Sequence, residues 1–201
     1  MELNELQIDL LKEIGNIGAG NAATSLSHML SKRIDMNVPE VSLLDYNHII
    51  ESIGGAENIV VGVLIAFEGD IQGVILFLLK KEFVHLILNS LLGTELQSFE
   101  EIEDIERSAL SEISNIMVSS YVNSIASLTG MKINITIPSL NIDMSGALLD
   151  AVTSEFSEVA DKVVFIKEKY HCQNETVYSY MLLLPDIPSL KILLNKFGID
   201  S

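Results

Sequence analysis

The chain has 201 residues, 48% of them apolar, enough for one sizeable core and too many for a disordered protein. Twelve basic residues against 28 acidic ones give a net charge of −16, which repels a phosphate backbone and an anionic membrane surface alike, so nucleic acid is not an expected partner. The chain opens without a basic and apolar leader, its most apolar stretch (59–79) is interrupted by Glu68-Gly69-Asp70 and Gln72-Gly73, and the lone Cys172 forbids an intrachain disulfide. These features lead to the expectation of a cytoplasmic protein without membrane insertion.

Residues 3–15 carry Leu and Ile at helical spacing, and 19–33 do so again up to Lys32-Arg33, which suit a helix C-terminus. Between them lies Gly15-Asn16-Ile17-Gly18-Ala19-Gly20, where either the helix bends or a second element packs very close against it. Asp9, Glu13 and Asn16 fall on one side of the first segment as an outward polar stripe, while Leu6, Leu10, Leu11, Ile14 and Ile17 require burial. A strand follows over 36–44, its Pro39 suiting an edge or strand start, and then a short helix ending at Gly54-Gly55. Strands at 58–67 and 71–79, joined by Glu68-Gly69-Asp70, imply a sheet covered on at least one face. An amphipathic helix over 80–92 is closed by Gly93, and the polar tract 94–101 is a connector.

From Ile102 the pattern starts over. A helix runs to Thr129 and ends at Gly130, then come a Pro-containing strand at 132–142, a helical stretch at 145–159, strands at 162–170 and 176–184, and a final helix closed by Gly198. Glu13 to Glu112, Asn16 to Asn115 and Pro39 to Pro138 share one shift of 99 (112 − 13, 115 − 16, 138 − 39). Val60-Val61 then matches Val163-Val164 at 103 (163 − 60), and Gly93 matches Gly198 at 105 (198 − 93), the drift falling where loops absorb it. The expected fold is α+β: a duplicated helix, strand, helix, hairpin, helix unit (about 1–98 and 99–201) whose halves share one sheet about a pseudo-two-fold axis, flanked by helices that present two sites. Tandem domains are the weaker alternative, since about three strands per half would leave edges and a face uncovered.

The duplication serves as an internal comparison. Both halves keep (Asp or Ser)-x-x-x-Glu-x-x-Asn, as Asp9, Glu13, Asn16 and as Ser108, Glu112, Asn115. Gly15, Gly18 and Gly20 become Ser114, Met117 and Ser119, so the shared feature is not a glycine-rich phosphate cradle. A single Glu and Asn on a helix surface would ordinarily just be solvated; the match in register sets this pair apart. Asp9 and Ser108 read as local hydrogen-bond partners one turn before the Glu, and the glycines as a place where two helices approach closely. His28, His48, His85 and His171 are scattered, no serine sits in Gly-x-Ser-x-Gly, and the seven methionines read as core filler.

The segments Glu-Ile-Gly-Asn-Ile-Gly-Ala-Gly-Asn-Ala at 13–22 and Ser-x-x-x-Glu-Ile-Ser-Asn-Ile-Met at 108–117 resemble the paired signatures of the CheC phosphatases of chemotaxis, a family that includes CheX and the flagellar-switch protein FliY. Two sites rather than one favour CheC over CheX, and the lack of an added switch domain disfavours FliY. The resemblance implies hydrolysis of the phosphoaspartate of the response regulator CheY. Asn16 and Asn115 would orient the attacking water, Glu13 and Glu112 would pair with the regulator's active-site lysine, and Asp9 and Ser108 would support them. It also implies no cofactor of the chain's own, the Mg2+ belonging to the regulator. A second implied partner is the receptor deamidase CheD, with a contact near Ala147-Leu148-Leu149-Asp150, a stretch that reads equally well as an ordinary amphipathic helix. Ser114 in place of Gly15, directly before the Asn, leads to the expectation that the two helices admit the regulator unequally. The alternative to an enzyme is a non-catalytic adaptor that holds phosphorylated CheY or CheD.

Overall fold

The computed structural model describes residues 4–155, 163–172 and 175–197. The first half forms α1 (Glu5–Leu30), β1 (Ile34–Met36), β2 (Glu40–Leu44), α2 (Tyr46–Ile53), β3 (Ile59–Gly69), β4 (Gly73–Leu79) and α3 (Lys81–Leu92). After a single 3-10 turn (Phe99–Glu101), the second repeats the order with α4 (Asp104–Thr129), β5 (Ile133–Ile135), β6 (Ser139–Met144), α5 (Ser145–Glu155), β7 (Val163–Cys172), β8 (Glu175–Pro185) and α6 (Ile187–Lys196). Residues 156–159 of the expected fifth helix, Lys162 of the expected strand and the closing Gly198 lie outside the described residues.

α1 starts at Asn4, whose side chain accepts from the Gln7 N–H while the Gln7 side chain accepts from the Asn4 N–H, and it runs as one helix through the glycine-rich stretch. The glycines therefore mark no break. A Cβ at Gly18 would meet the Tyr121 ring of α4 at 2.2 Å, and one at Gly15 would meet Val41 of β2 at 2.8 Å, whereas one at Gly20 would meet nothing within 4 Å. Close approach explains the first two. The expected strands over 36–44 and 132–142 are each two strands, divided at Asn37-Val38-Pro39 and Thr136-Ile137-Pro138, because proline has no N–H for the ladder and opens the second strand instead.

The eight strands form one antiparallel sheet in the order β1, β7, β8, β4, β3, β5, with β2 also on β7 and β6 also on β3. The short strands are exchanged: β1 and β2 of the first half pair with the second half's hairpin, and β5 and β6 with the first half's. Both faces are covered. Ile75, Phe77 and Leu79 of β4 join the core beneath α1, α3, α4 and α6, while Val74, Leu76 and Leu78 turn to α2 and α5. Burial on both faces is why the central strands read as continuous apolar runs.

α1 and α4 pack antiparallel. Asn21 Nδ2 donates to Ser124 Oγ at 2.9 Å, and Ser25 Oγ and Ser120 Oγ lie 3.0 Å apart. Shifted by 99, Asn21 becomes Ser120 and Ser25 becomes Ser124 (120 − 21, 124 − 25), so each contact is the other's mate about the pseudo-two-fold axis. Tyr121, seated on Gly18, also donates its hydroxyl to the buried carboxylate of Glu168, which accepts from Ser179 as well. Burial raises the Glu168 pKa above its ordinary 4.5, against the opposing pull of these hydroxyls.

Gly18→Ala lowers stability by about 1–3 kcal/mol through overpacking on Tyr121, and Gly20→Ala raises it by about 0.5–1 kcal/mol through helix propensity, both read by urea denaturation. For Glu168, the native state holds its proton to higher pH than the unfolded chain does. Its contribution is therefore fully present below the ordinary carboxylate pKa and is lost as pH rises through the raised native value. Glu168→Gln removes that dependence, so the stability of the variant relative to the parent increases with pH across this window.

Candidate functional site

The buried side of α1 is set by Leu11, Ile14, Gly15, Gly18, Ala19 and Ala22, which leaves Asp9, Lys12, Glu13 and Asn16 on the exposed side. On α4, Leu110, Ile113, Ser114, Met117 and Tyr121 are buried, Ser108 and Glu112 are exposed, and Asn115 is half-buried. The two stripes thus face outward as their spacing requires. Leu6 does not follow its expectation: it is 64% exposed on the first turn of α1, where the neighbouring Gln7 takes the buried side.

No hydrogen bond or ion pair within the described residues engages the side chains of Glu13, Asn16, Glu112 or Asn115. The Asn115 carbonyl accepts from the Ser119 hydroxyl at 2.6 Å, a bond of the helix itself. The flanking residues are spent locally. Asp9 pairs with Lys12 at 3.1 Å, and the Ser108 hydroxyl donates to the Asp104 carbonyl at 2.8 Å, so neither is hydrogen-bonded to the neighbouring Glu.

Beside the second stripe, an open groove of about 870 Å³ runs between α4 and the β5–β6 junction, with Arg107, Glu112 and Asn115 on one wall and Thr136, Ile137 and Pro138 on the other. Arg107 has no carboxylate partner among the described residues, and its counterpart in α1 is Ile8 (107 − 99). The first stripe has a cation of its own, Lys12, aligned with Ser111 (111 − 99). Sequence reasoning passed over both, because neither is kept between the halves.

Gly15 and Ser114 both face the interior, Gly15 toward Val41 and Ser114 with no exposed surface, so this difference leaves the outer faces of the two helices alike. The asymmetry between the stripes lies instead in Lys12 and Arg107. The midpoint of the α1–α4 hydrogen bonds falls near Ala23 and Val122, seven residues beyond Asn16 and Asn115 respectively. At about 1.5 Å per residue the two Asn lie roughly 20 Å apart along the antiparallel helices.

Asp150 is exposed on α5, whose Leu149 and Val152 pack on the sheet face opposite to α1 and α4. His171 is held by Asn37 and Thr176 at 3.1 and 3.0 Å, the thiol of Cys172 is pushed up by burial, and no group of three metal-binding side chains occurs among the described residues. Among those residues, no helix is long and apolar enough to cross a membrane.

An exchanged α+β sheet under two antiparallel helices, each presenting a Glu and an Asn one turn apart, places the protein in a class shared with chemotaxis and flagellar-switch proteins. The crystal structure of Thermotoga maritima FliY superposes with a TM-score of 0.77 at 26% identity, covering 98% of each chain. The chain belongs to the CheC-like family, whose profile matches residues 6–43 and 105–142, two segments again 99 apart (105 − 6). It is 30% identical over 200 residues to the CheY-P phosphatase CheC of Bacillus subtilis, covering 98% of this chain and 96% of that protein. It is also 23% identical over 198 residues to the flagellar motor switch phosphatase FliY of B. subtilis, of which it spans 50%.

Ser114 Oγ is buried without a hydrogen-bond partner. Ser114→Ala removes that unsatisfied hydroxyl and raises stability by about 1 kcal/mol in urea denaturation, with the exposed face of α4 unchanged.

Proposed function

We propose that this protein hydrolyses the phosphoaspartate of a phosphorylated CheY-type response regulator, at both stripes. The observation that carries the reading is the Glu and Asn pair itself: without side-chain partners among the described residues, one turn apart on a helix, and present twice. An acyl phosphate has a good leaving group and a loose transition state, so its hydrolysis needs a water placed in line more than a strong acid or a nucleophile. A primary amide both donates and accepts hydrogen bonds, which suits Asn16 and Asn115 to hold that water. Glu13 and Glu112 make a charge-assisted contact with the regulator's active-site lysine and fix the helix in register over the phosphoryl group.

Asp9 holds Lys12, which leaves Glu13 free for the incoming lysine. Ser108 bonds its own helix and is left a docking role only. The chain brings no cofactor of its own to the reaction; the Mg2+ enters with the regulator. Its acidity suits a partner that offers a lysine. The relatives named as CheY-P phosphatases support the reaction class, and a cytoplasmic location follows from the same reading.

A second partner, the deamidase CheD, fits the exposed part of α5 around Asp150. That helix lies across the sheet from both stripes, so on this reading one chain can hold the deamidase and the regulator together.

Asn16→Ala and Asn115→Ala each remove one site's share of turnover, and the double variant lowers kcat for phosphate release by roughly 100-fold. Phosphate release from pre-phosphorylated CheY measures this. A double variant with the parent's turnover sinks the Asn-held water, and with it the two-site mechanism.

A further inference from the structure

We infer that Val38 and Ile137 are apolar docking contacts for the response regulator, each seated beside one Glu and Asn stripe. This rests on the proposed phosphatase reading of those stripes and adds to it the residues that set affinity. Ile137 is 91% exposed and Val38 78%, and they are equivalent under the shift of 99 (137 − 38). Among the described residues the next most exposed large aliphatic side chains are Leu6 (64%) and Ile105 (62%), another pair at the same shift (105 − 6). These sit seven residues before Glu13 and Glu112, two turns along the same helix face. A single exposed aliphatic residue needs no explanation, but two symmetric pairs flanking both stripes do.

The tips are also held in place. The Asn37 N–H donates to the Lys169 carbonyl at 3.1 Å and the Thr136 N–H to the Ala66 carbonyl at 2.9 Å, and these acceptors are themselves equivalent at the hairpin shift of 103 (169 − 66). The Asn37 side chain is bonded to His171 and the Thr136 hydroxyl to the Ala66 N–H, both at 3.1 Å. Pro39 and Pro138 fix the backbone on the other side. A large side chain is thus presented to water from a backbone tied on both flanks, a loss of water entropy that the isolated chain recovers nowhere.

Each tip is continuous with its stripe. Ile137 forms the wall of the groove opposite Glu112 and Asn115. Val38 takes the equivalent place at the first stripe by the shift of 99 (137 − 38), on a segment that meets α1 where Val41 packs against the buried side of the helix at Gly15. The occupant is therefore the body that brings its lysine and phosphoryl group to the stripe, and it must offer an apolar patch beside its phosphorylation pocket. The polar contacts align the chemistry, and the aliphatic tips supply affinity that is the same in ground and transition state.

Glu112→Arg with Asn115→Ala silences both binding and hydrolysis at the second stripe and Glu13→Arg with Asn16→Ala does so at the first, so Val38→Ser is read in the former background and Ile137→Ser in the latter. Two readouts are taken with full-length CheY: phosphate release, and binding of the regulator activated with beryllofluoride. Each Ser variant raises KM and Kd about 10-fold with kcat retained, Val38→Leu and Ile137→Leu restore both constants, and thermal unfolding is unchanged. If the Ser variants keep the parent's KM and Kd, the inference is overturned. It is overturned equally if they convert a self-associated form of the free protein to monomer and leave regulator binding alone, which makes the tips a contact between copies of this chain. If the parent binds but does not hydrolyse, the phosphatase reading fails by itself, and the Kd comparison still decides the tips. A parent that does neither overturns both.

Discussion

The crossing of α1 and α4 is the constraint on which the rest depends. Tyr121 lies where a side chain on residue 18 would stand, so its ring packs directly on the backbone of α1 and fixes the two helices at that point. The mates of that pair under the duplication are Ala22 and Met117, both buried, so a large and a small residue change places across the axis and the volumes balance. Asn21 with Ser124 and Ser25 with Ser120 add hydrogen bonds beside the same axis. A helix pair locked in this way can carry side chains on its outer face without those side chains taking part in the lock. That is the condition for leaving the side chains of Glu13, Asn16, Glu112 and Asn115 without partners among the described residues.

The sheet serves the same end. Because β1 and β2 pair with β7, and β5 and β6 with β3, each half contributes an edge to the other's hairpin. Each helix therefore rests on strands tied to both halves, and the junctions that carry Val38 and Ile137 are pinned to the opposite half as well. The two stripes are related through this exchange rather than through a linker. Their separation of roughly 20 Å follows from helix rise and the position of the axis. The surroundings differ, with Lys12 held by Asp9 at one stripe and Arg107 without a carboxylate partner among the described residues at the other, so the electrostatics of the two stripes diverge.

Much of this was legible in the residues. The shift of 99 finds the duplication, the Glu and Asn pair and both prolines without any structure, and 3.6-residue periodicity places the pair on the outside of a helix. Gly18 was legible as a close approach but not as a contact with Tyr121, since the partner's identity depends on which helices meet. The strand exchange was not legible, because alternation and turn residues say nothing about which strand lies beside which. Leu6 was misplaced because its apolar character was given priority over its position: seven residues before Glu13 it shares the outward face, and the neighbouring Gln7 takes the buried place in that turn. Its match to Ile105, and that of Val38 to Ile137, were present at the same shift and would have marked both pairs. Glu168 gave no signal at all, since its counterpart Ile65 is an ordinary core residue (168 − 103).

On the proposed reading, the work is done by geometry: an amide that holds water, a carboxylate that holds register, and a regulator that supplies the metal and the reactive bond. That reading differs from an adaptor in one respect, since an enzyme must let its product go. The most direct measurement is the amount of phosphate released when pre-phosphorylated CheY is given in large excess over this protein, beyond what the regulator loses alone. The account predicts many phosphates released per chain, with dephosphorylated regulator free in solution. Release of no more than the regulator's own loss, with phosphorylated CheY retained on the chain, would contradict it.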